Sequence, residues 1–197
     1  MKKILFSAAI AAFGFVNTNA QATGFEAGVY LGMPSGDASD VTSFNLGLNV
    51  AYLWNVSDDF KAGITAGYDH WMAKEFEGEK GKDIAFLPIA ATAKYSFGNI
   101  FIGLDLGYSL GLSSEKENED FGDGESFSAE IKHKGGFLYQ PKVGYNAASF
   151  DIYVFYKGMS NKVEATTSMN FEGMNESMTA STTANMGSVG LGFAYKF

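Results

Sequence analysis

The chain has 197 residues, a length that suggests one domain, and it contains no cysteine, which excludes disulfide bonds and cysteine-ligated zinc. Its 14 basic residues are all Lys, and against 22 acidic residues they give a net charge of −8. This balance argues against nucleic-acid binding, which needs a basic face. The 24 Gly, 18 Phe and 10 Tyr, with three Pro, favour β-structure.

The N-terminal segment has the pattern of a secretory signal peptide. Lys2 and Lys3 precede an apolar run over residues 4–16, and small residues follow that run. A membrane-spanning helix needs about 20 apolar residues, so this run is too short to be one. We predict that residues 1–20 are a signal peptide, with cleavage after residue 20 or 22, and that residues 21–197 form a single domain.

Apolar residues then recur at every second position in eight stretches, which is the spacing of strands with one apolar face. The stretches are residues 25–33, 44–54, 60–68, 87–97, 100–110, 137–145, 150–156 and 189–197. Short connections rich in turn formers lie at residues 55–59, 98–99 and 146–149, and they alternate with longer polar loops at residues 34–43, 73–86, 112–136 and 158–185. This order predicts an all-β fold, an eight-stranded antiparallel up-and-down barrel.

The alternation alone fits two kinds of barrel, a soluble one with its apolar face inside and a transmembrane one with its apolar face outside. The less apolar face carries 11 of the 24 glycines, and most of its other residues are small. A surface in water would carry many long charged side chains, whereas the narrow interior of eight strands needs small ones. The sequence therefore predicts a transmembrane barrel.

Nine charged residues fall on the predicted inward face, and we expect them to pair as a lumen charge network because isolated buried charges are costly. They are Glu26, Lys61, Asp69, Lys94, Asp105, Lys142, Asp151, Lys157 and Lys196. Lys94 and Lys142 lie on the strands that flank Asp105, so both are expected to reach it. Six bulky inward residues are expected to block the lumen, although the glycines leave space for water: Tyr30, Leu53, Phe101, Leu138, Tyr153 and Phe155.

Aromatic residues mark both ends of the outward face, as the two interfaces of a membrane favour. Toward the short turns these are Phe25, Trp54, Phe60, Phe97, Phe150 and Phe197. Toward the long loops they are Phe44, Tyr68, Tyr108, Phe137 and Tyr156. Two aromatic girdles around an aliphatic band support the transmembrane interpretation.

The alternation continues to the last residue through Val189, Leu191, Phe193, Tyr195 and Phe197. Such a strand with a C-terminal Phe resembles the assembly signal of bacterial outer-membrane barrels. Together with the signal peptide and stretches such as FLPIAATAKYSFG and FIGLDLGYSLGL, it makes the mature chain resemble the small outer-membrane β-barrel family, the OmpX-, OmpW- and OmpA-barrel-like proteins. The resemblance implies an integral bacterial outer-membrane location with both termini in the periplasm. It also implies contact with outer-membrane lipid and lipopolysaccharide, and with the barrel-assembly machinery and periplasmic chaperones during biogenesis.

The sequence shows no catalytic constellation. Nucleophilic catalysis needs a Ser and a His within hydrogen-bond reach, but the parity of Ser43, the nearest Ser to His70 by strand, points inward and away from it. We therefore expect no enzyme activity, no cofactor and no metal site. Seven acids lie between residues 115 and 130, where Asp123, Gly124 and Glu130 echo a calcium-loop spacing but Phe121 stands at a ligand position. A solvated acidic loop is expected, and weak divalent-ion binding stays open.

The fourth long loop contains four methionines among Ser, Thr and Asn, and Met186 directly follows it. This composition fits either an adaptable contact surface or a disordered loop. The expected function is a non-enzymatic structural or surface-contact role, carried by long extracellular loops that meet an extracellular partner. The alternatives are a narrow channel for small or apolar solutes and a lipid-modifying outer-membrane enzyme.

Overall fold

The computed structural model describes residues 24–76, 78–122, 125–171 and 174–197. The predicted signal peptide at residues 1–20 and both of its cleavage positions lie outside these ranges. The strands are β1 (Phe25–Gly36), β2 (Thr42–Asn55), β3 (Phe60–Ala73), β4 (Glu75–Phe76), β5 (Glu79–Lys80), β6 (Ile84–Phe97), β7 (Ile100–Gly111), β8 (Ser114–Gly122), β9 (Glu125–Asn146), β10 (Phe150–Phe171) and β11 (Met174–Lys196), and helix α1 is Ala38–Val41. Within these ranges no helix has the length and apolar character needed to cross a membrane.

Eight of the strands close into a barrel. The sheet runs in the order β10, β11, β1, β2, β3, β6, β7, β9, and β9 pairs again with β10, so that every neighbouring pair is antiparallel and the ring is complete. The predicted eight-stranded antiparallel barrel is confirmed. Each of the eight alternating stretches lies in one of these strands, apart from Phe197, which directly follows β11.

The two described chain ends meet at the end of the barrel that also carries the three short turns, which we call the turn end. The backbone N–H of Phe197 donates to the carbonyl of Phe25 at 3.1 Å, and the two rings are 5.5 Å apart. The opposite end, which we call the mouth, carries α1 and the long hairpins. The C-terminal residue is therefore part of the barrel wall, because it completes the β11–β1 seam.

Two segments that the sequence predicted as long loops are largely strand in the described ranges. β8 pairs with the first half of β9, and β10 pairs with β11 without interruption from Phe150↔Tyr195 to Phe171↔Met174. The predictions of a loop at residues 112–136 and of a loop at residues 158–185 are wrong in this respect. Their Ser, Thr and Asn residues suggested loops, but the backbone groups are satisfied by neighbouring strands, and Thr fits strands well.

These hairpins form a four-stranded extension of the barrel wall, which we call the projecting sheet. It consists of β8, residues 125–136 of β9, residues 161–171 of β10 and residues 174–185 of β11, in the order β8, β9, β10, β11. A bulge at Lys162/Val163 adds Lys134 to β9 where this sheet leaves the barrel. The bulge keeps the two faces of the extension continuous with the lumen side and the outer side of the barrel.

The outer surface of the barrel is apolar and exposed around its whole circumference, as Leu191 at 62% and Ile64 at 59% illustrate. Aromatic pairs bound this belt: Tyr52–Trp54 and Tyr95–Phe97 at the turn end, and Tyr139–Tyr156 at the mouth. Water cannot stabilise so large an apolar surface, whereas a lipid bilayer covers it. A closed sheet with an apolar outside and a charged lumen is the architecture of outer-membrane β-barrels.

Inside the barrel, each of the six bulky residues stands beside a glycine on a neighbouring strand. Tyr30 pairs with Gly47 and Gly192, Leu53 with Gly63, Phe101 with Gly144, Leu138 with Gly107, Tyr153 with Gly144 and Gly192, and Phe155 with Gly190. A Cβ atom built on Gly47 would lie 2.2 Å from Cζ of Tyr30. The rings therefore occupy the space that the glycines leave, so the glycines do not open a path for water.

We predict that Gly192→Ala lowers the free energy of unfolding by about 1–3 kcal/mol, the usual cost of overpacking. The new Cβ would lie 2.2 Å from Cζ of Tyr153, whose ring is buried in the lumen. Urea unfolding of Gly192→Ala, Tyr153→Ala and the double variant gives the coupling between the two positions. Additive losses would contradict a clash between this methyl group and this ring.

Candidate functional site: a closed lumen and a projecting sheet

Eight of the nine lumen charges predicted from the sequence lie in three separate groups, each electrically neutral. In the first, Lys94 Nζ donates to Glu26 at 2.9 Å and to Asp151, and Lys196 Nζ donates to Asp151 at 3.0 Å. In the second, Lys142 Nζ donates to both carboxylate oxygens of Asp105 at 2.9 Å. In the third, Lys157 Nζ donates to Asp69 at 2.7 Å and to the hydroxyl of Tyr30 at 2.8 Å.

Two lumen charges differ from the expected arrangement. Lys94 was expected near Asp105, but its ammonium group crosses the lumen to Glu26 and Asp151. The register explains this: Lys94 and Lys142 both flank Gly103, and Lys142 alone already satisfies both oxygens of Asp105. Lys61 is half-buried near the turn end and forms no ion pair with any residue that the structure describes.

The six bulky inward residues are all buried, and the four aromatic ones fill the middle of the lumen. Tyr30, Phe101, Tyr153 and Phe155 form one packed cluster with Ala194. The Tyr30 and Phe155 rings meet edge to face at 5.5 Å, and Lys157 Nζ lies 4.1 Å from the centre of the Tyr30 ring. Paired charges and aromatic rings therefore share this layer and hold each other in place.

A second apolar cluster fills the barrel below the mouth, and sequence analysis had placed only Leu138 of its members inside. Its members are Ala38, Trp71, Ile84, Phe86, Leu138, Met159 and Met186. The predicted strands stopped short of most of these positions. The available signal was parity, because Trp71 stands two residues after Asp69 and Met159 two residues after Lys157, so both continue the inward face.

Two small cavities lie in the part of the lumen that the structure describes. One cavity of about 20 Å³ is lined by residues that include Glu26, Lys94 and Lys142. Another of about 30 Å³ is lined by residues that include Asp105 and Lys157. Each has room for about one or two water molecules. Together with the two packed clusters, these volumes leave the lumen closed to hydrated ions.

His70 lies at the outer rim of the mouth, and both of its ring nitrogens have partners. Nδ1 is 3.1 Å from the hydroxyl of Tyr68, and Nε2 is 3.2 Å from a carboxylate oxygen of Asp83.

The inward direction predicted for Ser43 is wrong, because a bulge between Thr42 and Phe44 buries Thr42 and exposes Ser43. The Ser43 hydroxyl donates to the backbone carbonyl of Met72 at 3.2 Å.

The outer face of the projecting sheet carries four lysines around two glutamates. Lys132 and Lys116 contact Glu130 at 2.8 and 3.3 Å, and Lys162 and Lys134 contact Glu164 at 3.0 and 3.1 Å. The hydrogen bond from Lys132 lowers the pKa of Glu130, and the one from Lys162 lowers the pKa of Glu164. Both carboxylates thus stay ionised into acid, and these six side chains together carry two positive charges in excess.

The lumen-side face of the projecting sheet is apolar with acidic margins. The register brings together Phe127, Ala129 and Ile131 of β9, Val163, Ala165, Thr167 and Met169 of β10, and Met178 and Ala180 of β11. On the same face, Glu117 of β8 pairs with Ala129, and Glu119 pairs with Phe127. His133, at the base of this face, accepts a 2.8 Å hydrogen bond from Asn161, and burial lowers its pKa, so the ring stays neutral.

The calcium-like spacing in the acidic segment cannot be followed in full, since Asp123 and Gly124 lie outside the described residues. In the ranges that are described, no three His, Asp or Glu side chains converge as metal ligands. The remaining acids of the segment belong to β8 and β9 and stand along a strand.

No protein-family model matches the chain, and no curated protein does either. Among solved structures, it is similar to Ail, the attachment invasion locus protein of Yersinia pestis, with a TM-score of 0.46 and 16% identity over 89% of this chain and 97% of that one. It is also similar to outer membrane protein AlkL, with a TM-score of 0.35 and 14% identity over 92% and 95% of the two chains. An outer-membrane channel from Pseudomonas putida F1 gives a TM-score of 0.35 and 10% identity over 92% and 98%. We assign the fold from the closed sheet itself.

Proposed function

We propose that the chain is an integral outer-membrane protein with a non-enzymatic, contact-making role at the cell surface, and that the projecting sheet makes the contacts. The observation that carries this proposal is the continuation of β8–β11 beyond the barrel as one paired sheet. The closed lumen favours this role over the rival one, a channel for small or apolar solutes. In that rival, solutes would have to pass two packed clusters of buried side chains.

Strand length supports a sheet that stands clear of the bilayer. β10 has 22 residues and β11 has 23. A tilted strand needs about 9–11 residues to cross the hydrocarbon region. The mouth-end aromatic girdle, at Tyr139 and Tyr156, marks where that region ends along β9 and β10. About half of each long strand therefore lies beyond the membrane.

The orientation follows from the contrast between the two ends. Outer-membrane barrels have short turns on the periplasmic side and long connections on the extracellular side. The turn end, with both described chain ends, then faces the periplasm, and the projecting sheet faces the outside. In this orientation the alternating strand Val189, Leu191, Phe193, Tyr195 and Phe197 would present its assembly signal to the periplasmic face of the barrel-assembly machinery, after delivery by periplasmic chaperones.

The outer face of the projecting sheet is suited to lipopolysaccharide. Lys134 and Lys162 lie five and six residues beyond Tyr139 and Tyr156 along their strands, on the side of the girdle where lipid phosphates would lie. Together with Lys116, Lys132, Glu130 and Glu164 they form a group with an excess of two positive charges. Ammonium groups at the membrane surface attract anionic headgroups over a distance of about one Debye length. This contact would fix the base of the sheet against the lipid.

The two edge strands of the projecting sheet, β8 and β11, differ in charge, and only the β11 edge is suited to pairing with another strand. β8 carries Glu115, Lys116, Glu117 and Glu119, and such charges discourage another strand from pairing with it. β11 presents residues 177–185, a run of Ser, Thr, Ala, Met and Asn without any charge. An uncharged open edge can accept an extended segment of another protein through backbone hydrogen bonds.

Single-cysteine variants test the orientation cleanly, because the natural chain has no cysteine. Ser181→Cys in β11 and Asp58→Cys in the first short turn both replace exposed residues at opposite ends of the barrel. In intact cells, a membrane-impermeant maleimide should label Ser181→Cys and leave Asp58→Cys unlabelled. After the outer membrane is permeabilised, both should react. Labelling of Asp58→Cys alone in intact cells would reverse the orientation and remove the proposed role.

A further inference from the structure

We infer that the lumen-side face of the projecting sheet is a docking surface for a cationic amphipathic peptide. The inference rests on the proposed exposure of this sheet outside the membrane, and it names the chemistry of a partner that the fold alone does not. Apolar contact would hold one side of the peptide, and glutamates that have no ion-pair partner among the described residues would hold its basic side chains.

The centre of this face is apolar and uncovered. Met178 is 76% exposed, Met169 is 55% exposed and Ile131 is 42% exposed, and the register places them across three adjacent strands. A sheet face that is exposed to water normally carries polar residues. A continuous apolar patch on such a face marks a contact site. Methionine suits such a site because its flexible side chain adapts to partners of different shape.

The charges of the projecting sheet are sorted between its two faces. All four lysines in the sheet lie on the outer face, where Glu130 and Glu164 pair with them. Glu117, Glu119 and Glu176 lie on the lumen-side face, and none of them has an ion-pair partner among the described residues. The apolar patch is therefore flanked by negative charge on β8 and on β11. One lysine from outside the sheet reaches this face: Lys82 contacts Glu115 at 3.7 Å, beside Ile131.

A hollow near the tip of the β10–β11 hairpin combines both properties. It has a volume of about 570 Å³ and is lined by Thr167, Met169, Glu176, Ser177 and Met178. Two of its five lining residues are methionines, and one, Glu176, supplies a carboxylate. A lysine or arginine side chain matches this hollow, since its aliphatic stem packs on apolar groups while its charged end pairs with an acid.

The negative charge of the lumen-side face decides which kind of partner can bind there. A second copy of the chain would bring either a like-charged lumen-side face or an outer face without an apolar centre, so it does not complement this surface. Anionic lipid headgroups would be repelled by the three glutamates. A peptide with one basic face and one apolar face supplies both complements, and amphipathic peptides bind apolar surfaces in this way.

The test uses the purified full chain in zwitterionic nanodiscs, with empty nanodiscs as the reference. The probe is a synthetic amphipathic peptide of Leu and Lys, compared with the same peptide carrying Glu in place of Lys. Binding is followed by the NMR signals of the methionine methyl groups. We expect the Leu/Lys peptide to shift the signals of Met169 and Met178 while those of Met159 and Met186, buried in the barrel, stay in place.

Matched variants separate the two faces. Glu117→Gln combined with Glu176→Gln should weaken binding about threefold to tenfold, as expected for partly exposed ion pairs, and added salt should have a similar effect. Glu130→Gln combined with Glu164→Gln removes as many charges from the outer face and should leave the affinity for the peptide unchanged or slightly higher.

Three outcomes would overturn the inference: no shift of Met169 and Met178, equal binding of the Leu/Glu peptide, or self-association of the chain through this face in sedimentation. Because purified protein is used, such a failure would say nothing about orientation. Maleimide labelling from the wrong side would instead remove the proposed function and leave the measured binding intact.

Discussion

Replacing Asp69 with Ala is expected to lower the free energy of unfolding by about 3–5 kcal/mol, the usual cost of leaving a buried charge without its partner. Asp69 is 1% exposed and Lys157 is 2% exposed, so neither can turn toward bulk water. Asn45 donates to the other oxygen of Asp69 at 3.1 Å, and that bond is lost as well. Without Asp69, the Lys157 ammonium group keeps only the Tyr30 hydroxyl as a hydrogen-bond partner.

Asp105→Ala is the matched control, since it also removes one inward carboxylate from one lysine. The Lys142 side chain is 14% exposed, so it can recover part of its hydration, and we expect a clearly smaller loss. Urea unfolding in lipid vesicles, followed by the fluorescence of Trp54 and Trp71, measures both. The double variant Asp69→Ala with Lys157→Met should recover much of the stability, because removing both charges leaves no unpaired ion. Equal losses for Asp69→Ala and Asp105→Ala would contradict the burial argument.

Wild-type protein in planar bilayers is expected to show no steady ion conductance. An ion would have to pass the mouth cluster around Trp71 and Phe86 and then the middle cluster around Tyr30 and Phe155, and both are buried. Three neutral ion-pair groups lie between and beside these clusters, so the charges of these layers are paired and do not attract a permeating ion. A porin reconstituted in the same bilayers is the positive control.

A stable, sizeable conductance that the wild-type protein shows and the heat-inactivated protein does not would contradict the closed lumen. It would favour the channel interpretation. Brief openings alone would be compatible with local fluctuation of the mouth. Because no variant is needed, the measurement does not depend on whether a mutated barrel still assembles.

The barrel itself was predictable because each strand that faces lipid on one side and a narrow lumen on the other must alternate. The parity of Asp69, Lys157 and Phe101 identified the inward face, and the structure places all three inside. Once the inward face was known, the six bulky residues that are buried inside the barrel could be named from their size.

Pairing across the lumen could not be predicted, since alternation gives the face of a residue but not its direction along or across the barrel. Lys94 and Lys142 flank the same glycine, yet one contacts Asp151 and the other Asp105. The strands of the projecting sheet were not predicted for another reason. In the proposed topology both faces of this sheet lie outside the membrane, so neither has to be uniformly apolar. The alternation that marks the barrel strands accordingly fades along residues 161–185.

The pairing of bulky residues with glycines has a consequence for how the strands find their correct alignment. A slip of one residue would turn the apolar face inward and is strongly disfavoured, but a slip of two residues keeps every side chain on its proper face. Such a slip would move Tyr30 from Gly47 to Asn45 or Asn49, and Leu53 from Gly63 to Lys61 or Thr65. The lumen has no room for these larger neighbours, so the barrel could not close around them. The succession of large and small residues along each strand thus fixes the strand register. It disfavours the two-residue slip, which polarity alone would allow.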